Sequence, residues 1–130
     1  MNMGVNLRLY PIEEEQFRHG RAFAFYRLEM PQCYALFGEI VKFPSRDEDG
    51  TEFPETPSLS PRPLPPGIYL DWGEDKEVRI DAYGSELAFV YARELARVNW
   101  YGTDESGFGK AVAAFIRNLP EWTPIILYWH

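Results

Sequence analysis

Three carboxylates, Asp71, Asp81 and Glu86, are the residues of this chain best spaced for chemistry. They fall in and just after two alternating segments, Ile68–Trp72 and Glu77–Ala82, and Glu94 follows within the next eight residues. If the segments pair and the next helix packs on them, two carboxylates can act as general acid and base, or hold a hard cation. That is a small metal-dependent or acid–base hydrolase, and it stands as the alternative reading. The chain has 20 acidic residues, so clustering by chance is expected. Other catalytic patterns are missing. There is no phosphate-binding Gly-x-x-x-x-Gly-Lys, no Gly-x-Gly-x-x-Gly and no Gly-x-Ser-x-Gly. Gly102, Gly107 and Gly109 precede a helical segment at the wrong spacing. His19 lies in a charged segment and His130 follows Trp129, and neither context positions an imidazole for a triad. Cys33 has no histidine near it in sequence and reads as a core thiol. Asp47-Glu48-Asp49-Gly50 lacks the alternating ligands of a calcium loop. No cofactor or metal is implied.

The favoured reading is a non-catalytic protein that binds another protein, as an inhibitor or accessory factor. Four tryptophans and eight tyrosines exceed what a small core requires, and these side chains favour interfaces. Trp72, Trp100 and Tyr101 are the candidates. Arg62 and Leu64 join them from Ser60-Pro61-Arg62-Pro63-Leu64-Pro65-Pro66, which favours polyproline II. Such a segment can dock in an aromatic groove or serve as a stiff connector. The net charge of −7 argues against nucleic acid and fits a basic protein partner.

The elements that must position these residues are legible to different degrees. Val5–Tyr10 alternates and reads as a strand ending at Pro11. Glu13–Gly20 reads as a short helix with acids in its first turn. Arg21–Met30 reads as one strand. Pro31–Lys42 reads as a helix burying Cys33, Leu36, Phe37, Ile40 and Val41. Residues 43–67 carry seven prolines and an acidic run and read as a long loop, with Arg46–Pro63 mobile or making contacts outside the core. Ile68–Trp72 and Glu77–Ala82 form the hairpin, with Ile68, Leu70 and Trp72 sharing a face with Val78, Ile80 and Ala82. Arg79 between Asp71 and Asp81 suits a cross-strand ion pair. Leu87–Tyr91 returns as a strand before a short helix over Ala92–Val98, or Glu86–Val98 is one helix. Glu105–Leu119 is a helix with Asp104 as N-cap and Phe108, Val112, Phe115, Ile116 and Leu119 on its buried face. Thr123–His130 is a continuously apolar, β-branched run that reads as a strand covered on both faces.

Together these give an α+β fold in one domain, residues 1–130: a mainly antiparallel sheet covered by two main helices, with a long Pro-rich loop. A single cysteine excludes an internal disulfide framework and points to the cytoplasm. The start, Met1–Asn6, reads as no signal peptide, and no apolar run reaches membrane-span length, so no membrane association is expected. Oligomeric state is left open.

Val5–Tyr10, Asp81–Ala92 and Ala114–His130 together resemble a group of small phage and prophage proteins. The resemblance spans about half the chain and omits the Pro-rich segment. It implies a bacterial or phage accessory protein and carries over no functional residue.

Overall fold

The computed structural model of the chain describes residues 5–20, 22–23 (backbone only), 27–30, 36–37, 40, 59–71, 76–98, 100 and 107–130. Its strands are β1 (Leu7–Pro11), β2 (Ala22–Phe23), β3 (Leu28–Glu29), β4 (Arg62–Pro63), β5 (Ile68–Asp71), β6 (Glu77–Val78), β7 (Ala88–Tyr91) and β8 (Pro124–Trp129). The helices whose bounds are described are α1 (Glu14–Arg18), α2 (Ala92–Leu95) and α3 (Phe108–Arg117).

The apolar run near the C-terminus forms β8, at the centre of a five-stranded antiparallel sheet of order β3-β1-β8-β7-β4. Its register aligns Leu9 with Leu127 and Tyr10 with Ile126 on one side, and Phe89 with Ile126 on the other. Successive side chains point to opposite faces. Ile125 and Leu127 therefore join Leu7, Leu9 and Val90 in one apolar cluster, while Ile126 and Tyr128 join Tyr10 and Phe89 in another. Both faces are covered, which is why the strand is apolar throughout. Burial of Ile125, Ile126 and Leu127 contributes roughly 1.5–3 kcal/mol each.

Helices cover the first face. Val112, Ala113 and Ile116 of α3 and Leu95 of α2 pack there, with Leu36, Phe37 and Ile40, which are helical and buried. The rest of the helix expected over Pro31–Lys42, Cys33 included, lies outside the described residues. The second face is covered by a three-stranded sheet, β2-β5-β6, through Ile68, Leu70 and Val78, and by Phe17 of α1. The architecture is α+β, with helices and a small sheet on opposite sides of the large one.

Several sequence expectations are corrected by this arrangement. Residues 21–30 are not one strand: β2 joins the small sheet and β3 the large one. On α3 the buried face is Gly109, Val112, Ala113 and Ile116. Phe108 is 69% exposed and Phe115 40%. Small side chains at 109 and 113 let the helix sit close to its neighbours and turn both phenylalanines outward. Gly107, in the left-handed region at φ 76°, occupies the N-cap position without a side-chain cap. Asp104 lies outside the described residues. The hairpin has the expected register, Leu70 opposite Val78, but its alternation stops there. Ile80 is 52% exposed and Ala82 is exposed too. The cause is Asp81, whose Oδ1 accepts the N–H groups of Tyr83 and Ser85 at 2.8 and 3.0 Å and bends the chain into a turn. Arg79 donates to the Ile68 carbonyl at 2.7 Å instead of pairing with the flanking aspartates. The Pro-rich stretch is docked at its end: Leu59 is buried, and Arg62–Pro63 pairs with β7 as an edge strand, where a proline's missing N–H is tolerated. Residues 43–58 lie outside the described residues. Leu87–Tyr91 is strand in its last four residues and leads into α2, so the single helix over 86–98 does not form.

Candidate functional site

β7 places Phe89 and Tyr91 two residues apart, hence on one face. α1 brings Phe17 against Phe89, with ring centroids 4.7 Å apart. Phe89 meets Tyr91 edge-on at 5.5 Å, and Tyr91 meets Trp122 edge-on at 5.2 Å. These are favoured aromatic geometries, worth about 0.5–1.5 kcal/mol a pair beyond area burial. The row runs from the core, where Phe89 is buried, to the surface, where Trp122 is 48% exposed.

Arginines lie along it. The Arg62 guanidinium, on β4, sits 5.2 Å from the Tyr91 ring centre and 6.0 Å from that of Phe89. It is held there by a bidentate pair to Glu94, Nη1–Oε1 at 2.7 Å and Nη2–Oε2 at 3.1 Å. Glu94 Oε1 also accepts the Tyr91 N–H at 2.9 Å, which caps α2. Hydrogen bonding from Arg62 holds the Glu94 carboxyl below its ordinary range, against the opposing effect of burial. The same pair raises Arg62. Arg93 stacks on Trp122 at 4.7 Å.

Two clefts open beside the row. One, of about 380 Å3, is walled by Phe17, Tyr91, Trp122, Pro65 and Pro124, with Glu14 and Arg18 at its lip. The other, of about 590 Å3, is lined by Pro11, Ile12, Phe115, Leu119, Pro120 and Thr123, with Glu13 and Glu14. Glu14 lines both, so the clefts meet at the start of α1. This face is apolar and aromatic in its floor and mainly acidic at its rim.

The residues singled out from the sequence divide sharply. Arg62 is in the site. Leu64 packs against the same apolar cluster as Phe89. Trp100 is only 5% exposed and donates its indole N–H to the Leu95 carbonyl at 3.2 Å, so here it is a packing residue. Trp72 and Tyr101 lie outside the described residues. Of the carboxylates, Asp81 is buried in its turn, Asp71 is exposed opposite Glu77, and Glu86 is exposed opposite Ile80. None of the three lines either cleft. Among the described residues no group of three histidine, cysteine, aspartate or glutamate side chains is placed to hold a metal ion. Phe17, Phe89, Tyr91 and Trp122 were not singled out as site residues from the sequence, and Phe115 was assigned to a buried helix face. Their one signal, the Phe-x-Tyr spacing of a strand, is common to any half-buried strand.

A smaller polar group sits at the far end of β1. Arg8 pairs with Glu29 at 2.8 Å and lies 6.0 Å from the Tyr128 ring. His130 Nε2 is 2.7 Å from Glu29 Oε1 but lacks hydrogen-bond alignment. Burial raises the Tyr128 hydroxyl. His130 also exchanges backbone hydrogen bonds with Asn6, so it closes the strand pair.

Comparisons of this chain with protein-family models, with curated proteins and with solved structures found no match.

Proposed function

We propose that this chain is a non-catalytic protein-binding module, an inhibitor or accessory factor acting in the cytoplasm of a bacterium or under the direction of a phage. Its contact face is the pair of clefts meeting at Glu14. The observation that carries the reading is the row Phe17–Phe89–Tyr91–Trp122, anchored in the core at Phe89 and half-exposed at Trp122. Buried aromatic anchors with an exposed rim are what hot spots are made of. The partner is a basic segment with an apolar side chain: the apolar part enters the clefts, and its charge meets Glu13 and Glu14 on a chain of net charge −7. Charge of this kind speeds encounter more than it adds affinity.

Capture from cells, identification of the partner and titration of the purified pair test this. Trp122→Ala should weaken binding by about 30-fold or more, the effect of losing a hot spot. Glu13→Gln with Glu14→Gln should slow association at low salt and little at high salt. Binding indifferent to both variants would place the contact face elsewhere. A measurable turnover abolished by Asp71→Asn with Asp81→Asn would establish the hydrolase in its place.

A further inference from the structure

A third cleft lies between α2 and α3, with Arg93 in its lining. It has a volume of about 190 Å3 and is lined by Arg93, Arg97 and Arg117, with Glu121 the one carboxylate among them. Its floor is Ala92, Ala96, Ile116 and Leu119. Three arginines around one opening run against the sign of a chain with net charge −7. Arg93 and Arg97 are four residues apart, and like charges at that spacing repel. Arg117 lies in the last turn of α3, where the helix dipole favours a cation, and Arg97 lies just beyond the C-terminal cap of α2. Among the described residues neither Arg97 nor Arg117 has an ion-pair partner. Arg93 is held in place by its stack on Trp122, so one guanidinium is already ordered.

We propose that this cleft binds the dianionic head group of a phosphate monoester. Among the groups lining the cleft three guanidiniums stand against one carboxylate, an excess of positive charge that suits the charge of about −1.5 to −2 a phosphate monoester carries at pH 7, and Glu94 outside the lining offsets part of the Arg93 charge. The planar guanidinium fork suits phosphate oxygens. The volume lies below the roughly 300–1,000 Å3 of sites that enclose a drug-sized ligand, so the cleft takes the head group and leaves the ester substituent outside. This site is separate from the two clefts of the proposed contact face and can fail or hold without them.

Calorimetric titration with inorganic phosphate and with phenyl phosphate at pH 7.5, with chloride and sulfate matched for ionic strength, tests it. The expected result is saturable binding that Arg97→Gln and Arg117→Gln each weaken by at least about tenfold, the loss of one charge-assisted contact. Lys110→Gln, an exposed change on α3 outside the cleft, should leave binding unaltered. Both arginines to be changed are exposed, so a circular dichroism spectrum and melting midpoint like those of the parent in chloride would establish that the variants fold. Tighter binding of phenyl phosphate assigns the ester as ligand, and equal or tighter binding of inorganic phosphate assigns the free ion, with the arginine cleft supported in both. No saturable binding of either, binding matched by sulfate and chloride, or binding that survives the double arginine variant overturns the proposal.

Discussion

Glu94 accepts three hydrogen bonds, two from the Arg62 guanidinium and one from the Tyr91 backbone. It thereby ties the edge strand β4, its neighbour β7 and a helix start together through one carboxylate. Its ionised form is favoured in the fold, so its pKa is lowered from 4.5. The stabilisation is therefore complete above the unfolded-state value and is lost as pH falls through the lower folded value. Arg62 stays charged throughout. Glu94→Gln should cost about 1–2 kcal/mol at pH 7, combining a partly screened ion pair with a weakened helix cap. The gap between parent and variant should begin to narrow below about pH 4.5, the unfolded-state value, and close as the pH falls through the lower folded value. Urea unfolding at pH 7 and pH 3 reads this directly, and an equal gap at both would mean that charge plays no part. Arg62 was singled out from the sequence for its Pro-rich neighbours. Its actual partner is 32 residues away, and no local pattern connects the two.

At the scale of elements, the parallel pair β2–β5 depends on a close approach of backbone to backbone. Gly67 precedes β5 at φ 88°, and Gly20 ends the turn after α1 at φ 71°. A Cβ on Gly67 would overlap the Gly20 carbonyl oxygen. Gly67→Ala thus meets both a left-handed backbone and a steric block, and should destabilise by about 1–3 kcal/mol. Gly84 has a similar φ of 83° with open space around it, so Gly84→Ala should cost less. Denaturant midpoints for the two variants check the order. Elements were legible where one signal dominated. β8 announced itself because a strand buried on both faces must be apolar at every position, and the β5–β6 register followed from two alternating runs. The face of α3 was misread because Phe108 and Phe115 outweigh Gly109 and Ala113 on any apolar count, whereas close packing favours the small residues. The aromatic row was illegible for a different reason. Its members come from α1, β7 and the turn before β8, and only long-range strand pairing brings them together.

Across the whole molecule, two apolar clusters lie on opposite faces of one sheet, and β8 supplies alternate residues to both. Neither cluster can lose β8 without the other losing it too. Chains of this size commonly unfold in one step, and the shared strand gives a physical reason for it here. Ile126 belongs only to the cluster shared with the small sheet, and Leu127 only to the cluster under α3, yet both are fully buried. Ile126→Ala and Leu127→Ala should each cost about 2–5 kcal/mol. The decisive readout is amide exchange by global opening. Ile126→Ala should lower the protection of Val112 and Ile116, across the sheet from the substitution, by as much as that of Leu70 and Val78 beside it. Unchanged protection in α3 would mean that the two sides open independently. In that case the cleft between Ile12 of one cluster and the α3 segment carrying Phe115 could open without global unfolding. Coincident loss on both sides would mean that the contact face keeps its shape until the whole sheet gives way.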